Sequence, residues 1–240
     1  MSTRTSCECS LQFDYLIGNN PVDPLSNQRW MRGQAIQVKR RNFGHNQVLT
    51  PSAAYTPASE QEILEILDRH RGQQIRAVGR LHSWSEAAVT ESVLLDLRRL
   101  NDVQLQRSGN QLVATVGAGC QVKRLLRELG RRGATLPSLG LITEQTIAGA
   151  ISTGTHGSGR HSMSHYVVVV RIARYDPSSG RPMIEEITAG EQLQAARCSL
   201  GSLGIILSVK IRCRPAYNVE EHFQEYRALP DVLAAEASFP

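Results

Sequence analysis

Residues 146–159, Thr-Ile-Ala-Gly-Ala-Ile-Ser-Thr-Gly-Thr-His-Gly-Ser-Gly, pack glycines and hydroxyls at a density suited to gripping an anion. Glycine lets a backbone approach a ligand closely and adopt positive φ. Backbone N–H groups and Ser/Thr hydroxyls can then encircle a phosphate or pyrophosphate. A connection with no ligand is the competing reading, yet a plain turn has little use for so many hydroxyls between its glycines. A second segment, Gly79-Arg80-Leu81-His82-Ser83-Trp84-Ser85, follows a strand-like run. At such a strand-to-loop turn a histidine serves as a base, a ligand or a covalent attachment point. On residue type alone, a structural histidine with a satisfied hydrogen bond is the stronger reading of His82.

Other chemistries lack the spacing they need. No Gly-Lys-Ser/Thr occurs, so the phosphate loop of nucleotide hydrolases is absent. Gly117-Ala-Gly119-Cys-Gln-Val122 follows a strand-like run and opens a helix-like one, as a dinucleotide fingerprint does. Its third glycine position is Val122, which weakens that reading. A hydrolase triad needs a Gly-x-Ser-x-Gly elbow, and Gly-Ser-Leu-Gly at 201–204 does not provide one. His156, His161 and His165 invite a zinc reading, but no acidic ligand is interleaved and the spacing fits neither His-Glu-x-x-His nor a zinc finger. Cys7-x-Cys9 has no second Cys or His pair nearby. No metal is expected.

The elements that must position these segments follow from periodicity. Residues 54–56 read as a short strand stopped by Pro57. Ser59 caps a helix, with Glu62 three residues on completing a capping box. Ile63, Ile66 and Leu67 form its apolar stripe, and Gly72 ends it. Gln74 to Val78 is a strand, so the region reads as one βαβ unit. Strands are expected at 93–97, at 111–116 after the Gly109-Asn110 turn, at 166–173, at 183–187 and at 204–213. Helices are expected at 121–131 and 192–198, with a further helix-like stretch at 229–237 that stops abruptly at Pro240. Strands that pair locally through turns after a βαβ unit argue for an α+β fold.

Composition agrees with a globular protein. The 240 residues are 41% hydrophobic and 20% charged. No apolar run approaches the ~20 residues of a membrane span, and the first residues have no apolar core of a secretory signal. Five scattered cysteines suit a reducing cytoplasm better than a disulfide scaffold. The net charge of +5 comes almost wholly from arginine, which suits an anionic small molecule. No lysine-rich stripe interleaved with aromatics is present, so no nucleic-acid partner is expected.

Taken together, Gly-x-x-His-Ser at 79–83, Gln-Thr-Ile-Ala-Gly-Ala-Ile-Ser-Thr-Gly-Thr-His-Gly-Ser-Gly at 145–159 and Ser-Leu-Gly-Ser-Leu-Gly-Ile-Ile at 199–206 resemble the FAD-linked aldonolactone and alditol oxidases. These are flavoproteins of the vanillyl-alcohol oxidase and p-cresol methylhydroxylase type. The resemblance covers about residues 45–217. It implies a PCMH-type FAD-binding domain of two α+β subdomains with the cofactor between them. A lead-in at 1–44 would precede it, and 218–240 would begin a cap domain.

Residue by residue, the resemblance implies that Gly79, Arg80, Leu81, His82 and Ser83 wrap the pyrophosphate and flavin edge. His82 matches the histidine that bonds covalently to the flavin 8α-methyl group. Ser138, Thr146, Gly149, Thr153, Gly154, Thr155 and His156 would line the flavin and pyrophosphate channel. Ile206 would meet the adenine end through its backbone. Gly140 stands where oxidase-type relatives have glycine and a dehydrogenase relative has alanine, a position tied to oxygen access. Two departures stand out: Arg80-Leu81 replaces smaller residues, and the chain stops where the cap would begin. No catalytic residue is therefore expected within the chain, and the residues that touch substrate are expected beyond Pro240. The implied activity is oxidation of a sugar lactone or polyol alcohol group with oxygen. The alternative is a non-catalytic FAD-binding module that needs a further part or partner chain.

Overall fold

A computed structural model describes residues 39–236, apart from 110, 160, 220–224 and 227. Cys7, Cys9 and most of the 1–44 lead-in lie outside the described residues, and so does Pro240, the expected border with the substrate-contacting part. Strands β1 (Arg40–Arg41) and β2 (Val48–Leu49) form a small antiparallel hairpin, which straddles the 44/45 boundary.

The next elements make the first subdomain: β3 (Ala53–Tyr55), α1 (Glu60–Arg69), β4 (Ile75–Val78) and β5 (Val93–Asp96). All three strands are parallel, in the order β3-β5-β4. The expected crossover therefore forms, with β5 inserted between its two strands. Every residue of β5 is buried, as its apolar run Val93–Leu95, covered on both faces, should be. Its terminal Asp96 is matched by Arg98, whose backbone N–H and side chain both donate to the carboxylate. At α1 the Ser59 hydroxyl accepts from Glu62 N–H as expected, while the Glu62 carboxylate accepts from Ala58 N–H, one residue before the Ser59 N–H of a standard capping box.

The second subdomain comprises β6 (Val103–Ser108), β7 (Gln111–Gly117), α2 (Val122–Gly130), β8 (Ala134–Thr135), α3 (Ile147–Ser152), β9 (Val167–Tyr175), β10 (Pro182–Ile187), α4 (Gly190–Arg197) and β11 (Ile205–Pro215). The strands form an antiparallel sheet, β10-β9-β11-β7-β6, with β8 pairing the end of β11. The expected strands appear, together with β6, whose Val-Gln-Leu-Gln alternation is a weak strand signal. A helix α5 (Leu229–Glu236) follows, within the helix-like stretch expected at 229–237.

The two sheets share one core. Ile63, Ile66 and Leu67 of α1 belong to the same buried cluster as Leu125 and Leu129 of α2, Ile147 and Ile151 of α3, and Val170 and Val209 of the large sheet. The helix α1 is also tied to that sheet by polar contacts. Arg171 grips the Glu60 carboxylate with two bonds of 2.8 and 2.9 Å, and the Tyr175 hydroxyl donates to Leu67 O. This is an α+β fold of two subdomains.

Candidate functional site

The loop after β4 is set by its own backbone. Leu81 has φ of 54°, and its side chain is buried in a small cluster with Leu49, Ala54, Val78 and Leu94. Leu81 therefore anchors the loop through its side chain. His82, next in the chain, is half-buried and stacks on Phe43, with ring centroids 4.8 Å apart. Burial lowers the His82 pKa below 6.5, the Arg80 charge lowers it further, and Glu144 opposes the shift. The shift favours the neutral imidazole, which keeps a nitrogen lone pair. Ser83 turns its hydroxyl to Ser85, 3.1 Å away.

The glycine-rich run begins as a helix start and continues as a helix stop. Thr146 caps α3, its hydroxyl accepting from Gly149 N–H at 3.4 Å. Gly149 is therefore committed to the cap, though its surface is exposed. At the other end Gly154 takes φ of +66°, and the N–H groups of Gly154 and Thr155 return to Ile151 O and Ala150 O. That pairing is the Schellman ending, which calls for glycine at this position. The Thr153 hydroxyl donates to Gly149 O. His156 is exposed and its Nδ1 lies 2.9 Å from Gly157 O.

These two segments converge. A methyl group on Gly79 would overlap the Thr146 side chain, so the loop of the first subdomain touches the start of α3 in the second. The run past α3 then packs on residues 138–140. A methyl on Gly157 would overlap Leu139 O, and one on Gly140 would lie 2.5 Å from the Thr155 methyl. Ser138, in that strip, is 8% exposed, and its buried hydroxyl has no hydrogen-bond partner among the described residues. A buried hydroxyl left unmatched is unfavourable by about 1–3 kcal/mol.

Ile206 is placed differently. Its side chain is buried in the core and it pairs with Ile172 across the β11–β9 ladder. The ladder shifts register just after it, where Leu207 O accepts from Ala118 N–H.

Some residues near the site carry no motif. Glu144 is held by Lys123 Nζ at 2.6 Å and Gln121 Nε2 at 3.0 Å, and its charge acts on His82. Phe43 and Asn42, from the hairpin before β3, touch the loop carrying His82. Nothing in their spacing marks them, because they act across a long stretch of chain.

The fingerprint-like glycines have another purpose. A methyl on Gly119 would overlap Leu97 O, and one on Gly117 would lie 2.5 Å from Leu100 O. Both glycines admit the neighbouring backbone, and β7 is antiparallel to its neighbours, so no dinucleotide crossover is built. The His161 and His165 rings stack 4.0 Å apart. Among the described residues no cluster of three metal-ligating side chains occurs.

A family model described as an FAD binding domain matches residues 51–177. The chain is 76% identical over 203 residues to a protein named long-chain alcohol oxidase from an uncultured marine euryarchaeote, covering 85% of this chain and 42% of that one. It is 37% identical over 177 residues to D-arabinono-1,4-lactone oxidase of Eremothecium gossypii, covering 70% and 33%. To L-gulono-1,4-lactone dehydrogenase of Mycobacterium tuberculosis it is 33% identical over 199 residues, covering 80% and 44%. Among solved structures, cholesterol oxidase from B. sterolicum matches with a TM-score of 0.70 at 19% identity, covering 75% and 37%. That last likeness is one of fold. The chain spans less than half the length of these relatives.

Proposed function

Since the chain belongs to the FAD-binding-domain family, whose model matches more than half of its residues, we propose that it is the cofactor-holding part of an oxidoreductase that oxidises an alcohol carbon with oxygen. Its fold is that of the FAD domains of the vanillyl-alcohol oxidase and p-cresol methylhydroxylase type. The residues present suit the cofactor. The observation that carries the reading is the orphaned Ser138 hydroxyl, buried in the 138–140 strip on which the 153–157 run packs. A buried donor of this kind calls for a polar ligand atom.

In this reading the cofactor lies between the two subdomains. The backbone of residues 79–83 and 153–157, with the Ser138 hydroxyl, holds it through dipoles. Lys123, committed to Glu144, is not required as a counter-charge. The neutral His82 imidazole is the attachment point for the flavin 8α-methyl group, and the Ile206 backbone meets the adenine end. When bound, FAD supplies the acceptor for the hydride leaving the alcohol carbon. The chain's own residues fix its position and shield it from water.

For the substrate, the 76% identity to a protein named long-chain alcohol oxidase favours a long-chain alcohol. A sugar lactone or polyol is the second reading, supported by the lactone-oxidising relatives at 33% and 37% identity. A cap domain contributed by chain beyond Pro240, carrying the residues that touch substrate, belongs to the same proposal. So does a reducing, cytoplasmic location, supported by the free thiols of Cys120, Cys198 and Cys213. Among the described residues no helix is long and apolar enough to cross a membrane.

The test begins with the purified chain. It should be yellow and keep flavin fluorescence after acid denaturation and gel electrophoresis, and His82→Ala should lose that signal while still binding FAD reversibly. A wild type with no affinity for FAD would overturn the reading. For the substrate, anaerobic bleaching by 1-dodecanol is compared with bleaching by L-gulono-1,4-lactone in the complete enzyme. Bleaching by the lactone alone would favour the second reading.

A further inference from the structure

The β1–β2 hairpin clamps the loop around His82 residue by residue. Phe43 N–H donates to Leu81 O at 2.8 Å. Asn42 Nδ2 donates to Ser83 O at 2.9 Å, and Asn46 Nδ2 to Trp84 O at 3.0 Å. The carbonyls on both sides of His82 are thereby taken. The clamp is itself braced: Asn42 is buried, its Nδ2 also reaches Asn46 Oδ1, and its Oδ1 accepts from Gln47 N–H. Gly44 lies against the Trp84 ring, where a methyl would come within 2.7 Å of ring carbon.

Phe43 sits at the centre of this clamp and is 52% exposed. A half-exposed phenylalanine contributes little to a core. Its ring instead lies nearly parallel to the His82 imidazole, 15° from coplanar. An offset stack of this kind restrains rotation of the histidine ring and covers one of its faces.

We propose that Phe43, held by the Asn42–Asn46 hairpin, is a positioning residue for His82, fixing the plane of the imidazole that faces the flavin. The proposal rests on the reading of His82 as the attachment residue. The charged groups acting on that imidazole are Arg80 from its own loop and Glu144, paired with Lys123, from the strip before α3. Phe43 acts separately from both, by removing water from one ring face.

Two readouts on the full 240-residue chain test it. The first is the His82 ring titration, followed by NMR in flavin-free protein. Phe43→Ala should move its midpoint upward, because solvent regains the covered face, and Phe43→Tyr should restore the wild-type value. The second is the share of flavin that resists acid, which Phe43→Ala should lower severalfold and Phe43→Tyr should restore. Val48→Ala, a change on the same hairpin away from His82, should move neither. Should Phe43→Ala fail to fold, Phe43→Leu keeps apolar cover without a ring. It should shift the titration less than it lowers acid-resistant flavin. An unchanged titration in a folded Phe43→Ala chain, unchanged acid-resistant flavin in a folded Phe43→Leu chain, or a shift that Phe43→Tyr fails to reverse, would overturn the proposal. A wild type that releases all its flavin in acid would defeat the attachment reading instead, and the titration alone would then decide the role of Phe43.

Discussion

Gly79 and Thr146 stand so close that the loop after β4 can carry no side chain where it meets the cap of α3. They lie 67 positions apart and in different subdomains, so this one contact joins the two halves of the candidate site. It also couples two local requirements, since the Thr146 hydroxyl that Gly79 leaves room for is the one that accepts from Gly149 N–H.

Gly79→Ala should therefore destabilise the chain by about 1–3 kcal/mol, the usual range for forcing extra volume into a packed join. Thr146→Ala should cost about 1 kcal/mol through the lost cap. The double variant should lose less than the two combined, because alanine at 146 removes the hydroxyl and methyl that a Gly79 side chain would meet. Urea unfolding of all four proteins gives the coupling. Strict additivity would mean that the two residues do not press on each other.

Ser138→Ala should act in opposite directions on folding and on binding. Removing an unmatched buried hydroxyl relieves its desolvation penalty, so the flavin-free chain should gain up to about 1–3 kcal/mol. The same change should weaken FAD binding. Thermal melts with and without added FAD would show a higher Tm without it and a smaller rise on adding it. A destabilised flavin-free variant would mean that the hydroxyl is matched in solution.

Gly140 offers a test that separates packing from oxygen access. A methyl there would lie 2.5 Å from the Thr155 methyl, so Gly140→Ala alone disturbs the strip that holds Ser138. Gly140→Ala with Thr155→Ser removes that conflict and keeps the added methyl. If Gly140 leaves a passage for oxygen, reoxidation in the complete enzyme should slow in both variants, with reduction by substrate spared. If the effect is packing, only the single variant should change. Stopped-flow measurement of the two half-reactions distinguishes them.

Stability should decline at both ends of the pH scale. Burial pushes the Cys120 and Cys213 thiols up to about 11 from 9.0. The unfolded chain then releases these protons first, so their contribution is intact below pH 9 and is lost as pH rises towards 11. His82 behaves in the opposite sense. Its folded pKa is depressed below 6.5, so the unfolded chain takes up the proton first and stability falls as pH drops below 6.5. His165, lowered by its own desolvation and by the charges of His161, Arg197 and Arg212, adds to the same slope. Tm measured from about pH 5 to 8 should show the acid decline, and His82→Gln should make it shallower. A Tm independent of pH across this range would contradict the depressed histidines.

Much of the site was legible because its local demands are written in residue types at short spacing. The Ser59 cap needs a hydroxyl close in sequence to its partner, whatever the rest of the chain does. The same holds for the apolar stripes of α1 and α2, whose period alone states which face is buried. Those features, and the motifs at 79–83 and 145–159, were readable before any coordinates. What only the tertiary structure decided were approaches between distant segments. The insertion of β5 between β3 and β4, the pressing of Gly119 on Leu97 O, the stacking of Phe43 on His82 and the isolation of the Ser138 hydroxyl have no sequence period. Each depends on how sheets and loops far apart in the chain come to rest against one another, and close packing, unlike a helix cap, leaves no mark at fixed spacing.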